Sequence, residues 1–136
     1  MPHDDAAIAS DTWVVRHVSA DHHVVRDDNL GVRRLSTGAF SATSGEPGHG
    51  MSVDIGQVLR DLGLVEGAMV PAGHGGVRLS VGALRRLTLR VGSDPEPGNP
   101  AHGQTWGAER RLRRKLLEIA CAGGWVIALP GVALEA

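Results

Sequence analysis

His102 lies in the most irregular segment of the chain, residues 93–107, which read SDPEPGNPAHGQTWG. Three prolines and three glycines in this segment indicate a connection between regular elements, and loops carry functional residues more often than cores do. A histidine there can accept or donate a proton near neutral pH. His102 is therefore a candidate catalytic acid or base. The favoured alternative is structural: the prolines stiffen a turn, and the imidazole binds a carbonyl across it.

A second group that could do chemistry consists of Arg33, Arg34 and Ser36. Guanidinium and hydroxyl groups at the end of a strand bind anions such as phosphate. Together with His102 they would form a nucleotide or phosphoester site. Such a site requires the groups to converge within about 10 Å, because each contacts the substrate over only ~3 Å.

His17 begins the tripeptide His-Val-Ser, which matches the H-x-S/T element of the two-histidine phosphoesterases. Those enzymes use the element twice, whereas His102 is followed by Gly103 and Gln104. A single copy of so short a pattern is expected by chance. The tripeptide alone therefore supports no prediction of activity.

The sequence predicts neither a metal site nor a cofactor. Metal centres need three or four converging ligands, and the densest local donors are Asp21, His22 and His23, with two more acids at 27–28. Adjacent side chains on extended backbone point to opposite faces, so the two histidines would not join one cluster. The glycine-rich loops match no phosphate-binding pattern, and the only lysine, Lys115, follows none of them.

A basic run occupies the helix predicted over residues 108–123 and consists of Arg110, Arg111, Arg113, Arg114 and Lys115. These side chains face away from the apolar stripe of that helix. They indicate a docking surface for an acidic partner protein. Nucleic acid is the less favoured partner, because the net charge is −1 and aromatic residues that could stack on bases make up only 3% of the chain.

Size and composition indicate one globular domain of 136 residues, with 42% hydrophobic and 21% charged residues. Residues 1–76 carry five arginines and ten acids, whereas residues 77–136 carry nine basic and five acidic residues. Cys121 is the only cysteine, which excludes an internal disulfide. No segment resembles a signal peptide or a membrane span, so we expect a soluble cytoplasmic protein without a membrane partner.

Hydrophobic periodicity predicts an α+β fold, with a small mixed sheet and two or three helices. Residues 1–11 are predicted to form a flexible leader and residues 12–136 a single domain. Strands are predicted at 12–18, 32–35, 51–55, 88–91 and 101–106, and from 125 until Pro130 ends the last one. Helices are predicted after Asp54 and after Ser80, each capped by that side chain, and over 108–123.

Three short elements resemble a family of small, uncharacterised bacterial proteins. The elements are S-x-x-A-F at Ser36, Ala39 and Phe40, an S-V-D strand at residues 52–54, and D-P-x-P-x-N-P-A-H ending at His102. The resemblance covers roughly residues 13–120, and its last element is the most specific. It implies a bacterial origin and a shared fold, with no activity assigned.

The leading functional prediction is a non-enzymatic interaction or regulatory module of a bacterial multi-protein system. Its contact surface would combine the basic helix with the loops at 36–50 and 71–76. The prediction follows from the lack of a complete catalytic set beside exposed loops and a segregated basic stripe. The alternative is an enzyme acting on a nucleotide or phosphoester, with His102 as the acid or base.

Overall fold

A computed structural model shows an α+β domain and describes residues 2–29, 31–44 and 46–136. The strands are β1 Trp13–Val18, β2 Val24–Asp27, β3 Val32–Leu35, β4 Met51–Ile55, β5 Gly75–Ser80, β6 Arg90–Ser93, β7 His102–Trp106, β8 Trp125–Ile127 and β9 Val132–Ala133. The helices are α1 Ala20–His23, α2 Gly56–Asp61, α3 Val81–Arg86 and α4 Arg113–Gly123. Short 3-10 turns cover Thr37–Ala39 and Arg110–Leu112.

The main sheet has six antiparallel strands in the order β6-β7-β4-β1-β5-β8. A smaller sheet has the order β2-β3-β9, in which β3 and β9 run parallel. The sequence places a single strand from residue 125 to Pro130, but β8 already ends at Ile127, and after Pro130 the chain enters the small sheet as β9. Proline lacks the N–H needed for a ladder, and Gly131 turns the chain with φ +72 before β9.

One face of the main sheet forms the hydrophobic core. Alternate strand residues such as Val14, Val53 and Leu79 are at most 2% exposed and lie in one cluster with buried residues of α3 and α4. On α4 the predicted apolar stripe is confirmed, since Leu116 and Ala120 are fully buried in that cluster. The opposite face of the sheet carries His17, Asp54 and His102.

Of the two predicted helix caps, one is confirmed and the other is wrong. Ser80 caps α3 as predicted, with its Oγ accepting a hydrogen bond from Ala83 N at 3.2 Å. The prediction that Asp54 caps α2 is wrong: the cap residue is Ile55, without a side-chain bond. Asp54 lies on β4, and its carboxylate is hydrogen-bonded to His17 instead of to the helix.

The segment predicted to be a flexible leader, apart from Met1, which lies outside the described residues, is held against the domain. Ile8 is 3% exposed and belongs to the core cluster. Arg85 on α3 donates to Ile8 O at 2.7 Å and to Asp5 O at 2.9 Å, and it pairs with Asp4 at 3.1 Å. An arginine with several donors can satisfy the carbonyls of an irregular segment, which explains why this segment is ordered without being helix or strand.

None of the described helices has both the length and the apolar character needed to cross a membrane.

Candidate active site

Three neighbouring strands bring a histidine, an aspartate and a second histidine together on the polar face of the main sheet. Val15 on β1 is aligned with Asp54 on β4, and Asp54 is aligned with His102 on β7. Directly opposed residues of antiparallel strands project from the same face, with Cβ atoms about 4.5–5.5 Å apart. His17 follows Val15 by two residues, so its side chain belongs to that face as well.

His17 and Asp54 form a closely bonded pair. The distance from His17 Nε2 to Asp54 Oδ2 is 2.5 Å, and Asp54 is only 1% exposed whereas the His17 side chain is 28% exposed. The other carboxylate oxygen, Oδ1, accepts a bond from Asn99 Nδ2 at 2.8 Å. Because a carboxylate accepts hydrogen bonds, Nε2 of a neutral His17 ring carries the proton, which leaves Nδ1 as an unprotonated acceptor.

His102 lies beside this pair and is oriented by the backbone of its own loop. Its Nδ1 donates to Asp94 O at 2.7 Å, which is the type of bond expected of a histidine that braces a turn. Its Nε2 lies 3.5 Å from Glu96 Oε1, and both residues line the same cavity as His17. His102 therefore combines a structural bond through one nitrogen with access to the cavity through the other.

The proline-rich loop that precedes β7 forms one wall of the site. Glu96 and Asn99 face each other across a tight turn in which Gly98 adopts φ +82, a conformation that favours glycine. The turn brings Asn99 Nδ2 within hydrogen-bond distance of Asp54 Oδ1. Gly103, the residue after His102, is required by packing, because a Cβ there would lie 2.7 Å from Gly92 O.

Arg16 lies where the pairing of β1 with β4 ends. The ladder between these strands covers only Val14–Ile55 and Val15–Asp54. Beyond it, the Arg16 guanidinium donates to Ser52 O at 2.9 Å, to Ala39 O at 2.9 Å and to Thr43 Oγ1 at 3.2 Å. Arg16 is 6% exposed, and burial lowers its pKa to about 10, so it remains charged near neutral pH.

These side chains surround a cavity of about 600 Å³, within the size range of sites for small molecules. Arg16, His17, Asp54 and His102 line it, together with three more histidines, His22, His23 and His74. Five histidines and one arginine thus share a single cavity. This concentration of groups that can bind anions or transfer protons distinguishes it from the rest of the surface.

His23 is held in its neutral form. Ser19 N donates to His23 Nδ1 at 3.0 Å, so this nitrogen acts as an acceptor. Burial lowers the pKa of His23 to about 4, and the positive charges of Arg16, His22 and His74 lower it in the same direction. A neutral ring with its proton on Nε2 follows from both observations.

The low pKa of His23 should make the fold sensitive to acid. The pKa rises from about 4 in the folded protein to 6.5 when the chain unfolds, so the unfolded chain binds more protons between these values. The free energy of unfolding should therefore decrease as the pH falls from 6.5 toward 4. The variant His23→Asn keeps an acceptor for Ser19 N and removes the titrating ring. Urea unfolding at about pH 7 and about pH 4.5 should show a smaller stability difference for H23N; equal differences would contradict this account.

A protein nucleophile or a metal is not evident in the described parts of the chain. The hydrogen bonds of His17 include none to a serine, threonine or cysteine hydroxyl or thiol. Cys121 lies on α4, outside the cavity lining, and burial raises the pKa of its thiol. Among the described residues, no group of three or more His, Cys, Asp or Glu side chains could hold a metal ion.

The predicted anion-binding residues lie apart from the cavity lining. Arg33 and Arg34 are on β3 in the small sheet, and Arg34 Nε is 3.9 Å from Asp27 Oδ2. Ser36 caps a 3-10 turn by accepting from Gly38 N at 3.1 Å. Although His102 lines the cavity, none of the three predicted anion-binding residues does so.

The basic run extends from the 3-10 turn, which contains Arg110 and Arg111, into the first residues of α4. Arg110, Arg111, Arg114 and Lys115 are exposed, and Arg111 pairs with Glu109 at 2.8 Å. Arg113 is half-buried, and its Nε has no hydrogen-bond partner. Four of the five predicted partner-binding residues are thus accessible, and none of the five lines the histidine-rich cavity.

Sequence reasoning missed Arg16 and Asp54 as site residues and found His17 only as half of an incomplete motif. The available signal was a charged residue in a strand whose neighbours are apolar. Arg16 and His17 interrupt WVVRHV, and Asp54 interrupts MSVDI. Buried charged groups of this kind need partners: His17 and Asp54 bond to each other across two strands, whereas Arg16 donates to acceptors at 39, 43 and 52.

No family model matches the chain, and no curated protein or solved structure matches it either. The resemblance to small bacterial proteins therefore stays a prediction. The case for a function rests on the chemistry of the site itself.

Proposed function

We propose that the protein is a hydrolytic enzyme that uses His17 as a general base. The observation that carries this proposal is the 2.5 Å contact between His17 Nε2 and the buried Asp54 carboxylate at the wall of a polar cavity. A buried carboxylate that fixes one nitrogen of an imidazole sets the tautomer and stabilises the imidazolium that forms when the other nitrogen takes a proton.

Water is the proposed nucleophile, because His17 is bonded to no protein hydroxyl or thiol among the described residues. The proposed substrate is an ester. His17 Nδ1 accepts a proton from water while the water oxygen forms a bond to the carbon or phosphorus atom of the ester group. Asp54 compensates the positive charge that develops on the ring. Asn99, bonded to the second carboxylate oxygen, holds Asp54 in position and is a positioning residue.

His102 is the proposed general acid. Its Nδ1 donates to Asp94 O, and this bond fixes the ring so that Nε2 lies near Glu96, which lines the cavity. When protonated, Nε2 can donate to the leaving-group oxygen as the ester bond breaks. The two histidines then exchange protons with solvent and return to their starting states. His102 thus keeps the acid–base role that the sequence suggests, but with partners other than Arg33, Arg34 and Ser36.

Chromogenic esters provide the test of this proposal. The full chain is assayed on p-nitrophenyl acetate, p-nitrophenyl phosphate and bis-p-nitrophenyl phosphate, as the wild type and as His17→Gln. The proposal requires hydrolysis of at least one of these compounds that depends on His17. Rates at the level of the buffer, or rates that are the same in both proteins, would count against it.

An interaction surface on the basic helix is a second proposal. The observation in its favour is the exposure of Arg110, Arg111 and Arg114 at one end of α4, where only Arg111 has an ion-pair partner among the described residues. An acidic protein is the partner that fits this charge. Replacing the three arginines with glutamate should abolish the binding of such a partner without reducing the activity assigned to the cavity; unchanged binding would contradict the proposal.

The cytoplasm is the proposed location, consistent with the free thiol of Cys121.

A further inference from the structure

Arg16 is a buried cation without an anionic partner. It is 6% exposed, and none of the ion pairs among the described residues involves it. Its bonds go to two backbone carbonyls and one hydroxyl, all of them neutral. A buried charge without a counter-ion costs several kcal/mol, so an anion that reaches Arg16 would supply the partner that the described residues do not.

The guanidinium keeps donors free for such a ligand. Nε donates to Ala39 O, and Nη1 donates to Ser52 O and Thr43 Oγ1, which uses every hydrogen on these two nitrogens. Nη2 bonds to no described residue, yet it is not among the fully buried atoms that lack a partner. Because Arg16 lines the cavity, the two hydrogens of Nη2 are the donors accessible from it.

The rest of the cavity carries further nitrogen groups and little free negative charge. His22, His23 and His74 line it beside Arg16, and the Arg16 charge helps to lower the pKa of His23. Of the two carboxylates in the lining, Asp54 is already bonded through both oxygens. The other, Glu96, has its Oε1 3.5 Å from His102 Nε2. The Arg16 charge is therefore paired with neither of these carboxylates.

We propose that Arg16 binds a phosphate group of the substrate, with His22 and His74 as neighbouring imidazoles that can donate hydrogen bonds to it. The inference rests on the proposed hydrolytic function and narrows its substrate class to phosphate esters. Arg16 Nη2 can donate a charge-assisted hydrogen bond to one phosphate oxygen, and the other oxygens of a tetrahedral phosphate can accept from donors in several directions, whereas a carboxylate is planar. Arg16 thus takes the role that the sequence suggests for Arg33 and Arg34.

The test measures the binding of inorganic phosphate to the full chain by isothermal titration calorimetry, independently of any activity. Arg16 also supports the backbone, so its replacement could unfold the protein. The test variant is therefore Ala42→Asp, which places a carboxylate at an exposed cavity position next to Thr43, the residue that Arg16 contacts. We expect phosphate affinity to fall at least about tenfold, because the new carboxylate competes for Nη2 and repels the anion.

A matched control carries the same change elsewhere. Ala128→Asp adds one negative charge at an exposed position outside the cavity lining and should retain wild-type phosphate affinity. The proposal is overturned if the wild type does not bind phosphate, if A42D binds it as tightly as the wild type, or if acetate binds as tightly as phosphate. Phosphate binding without ester hydrolysis would remove the enzyme proposal and leave the anion site. His17-dependent hydrolysis of p-nitrophenyl acetate without phosphate binding would support the enzyme proposal and remove the phosphate site.

Discussion

Replacing His17 with glutamine should lower kcat/KM for ester hydrolysis by about 10²–10⁴-fold, the usual contribution of a positioned acid or base. Glutamine can still donate a hydrogen bond to the Asp54 carboxylate, so the partly buried pair is not left with an unpaired charge. It cannot accept a proton at neutral pH. The rate of hydrolysis should therefore fall while circular dichroism and the unfolding midpoint remain close to the wild type.

Two further variants separate the role of the pair from a general effect of losing a histidine. Asp54→Asn should give a loss of similar size, and the double variant H17Q/D54N should lose little more, because the two side chains act as one unit. His49→Gln is the control, since His49 lies outside the cavity lining and its side chain is 48% exposed. If H49Q lost as much activity as H17Q, or if H17Q were fully active, the assignment of His17 would be wrong.

Replacing Phe40 with alanine should lower the free energy of unfolding by about 3–5 kcal/mol, the range typical of a buried phenylalanine. Phe40 is the only phenylalanine of the chain, is fully buried and belongs to the core cluster. It follows the 3-10 turn that ends at Ala39, whose carbonyl accepts the bond from Arg16. The S-x-x-A-F element thus anchors the segment that supports the cavity.

Urea unfolding of the wild type and F40A measures this effect. Val65→Ala is the matched control, because Val65 is 74% exposed and its truncation should change the free energy of unfolding by less than about 0.5 kcal/mol. A loss below about 1 kcal/mol for F40A would mean that the S-x-x-A-F element does not anchor the core. The element would then need another explanation.

Local patterns were sufficient to predict several elements, although the predicted strands did not include β5, which lies between β1 and β8 in the main sheet. The β-branched residues of WVVRHV predict β1, Ser80 predicts the start of α3, and the apolar spacing around Leu116 predicts the buried face of α4. The division into two sheets was not predictable in this way, because the parallel pairing of β3 with β9 joins segments far apart in the chain. The docking of the first residues was missed for the same reason, since Arg85 reaches Ile8 across 77 positions.

The site depended even more on distant pairings. His17 and Asp54 are 37 positions apart, and Asn99 is 45 positions beyond Asp54. A local rule assigns Asp54 to the start of a helix, because an aspartate before a helical pattern usually caps it. Strand register instead turns the carboxylate toward the polar face of the sheet. His102 was identifiable from its unusual loop, whereas its neighbours in space were not.

The protonation of the His17 ring provides the most direct test of the central claim that this histidine is a general base held by Asp54. Ring-nitrogen NMR of isotope-labelled protein, at a pH where the ring is neutral, reports which nitrogen carries the proton. We predict a protonated Nε2 whose proton resonates downfield of the backbone amides, an unprotonated Nδ1, and loss of the downfield signal in Asp54→Asn. A neutral His17 ring protonated on Nδ1 would leave no proton acceptor toward the cavity and would contradict the account.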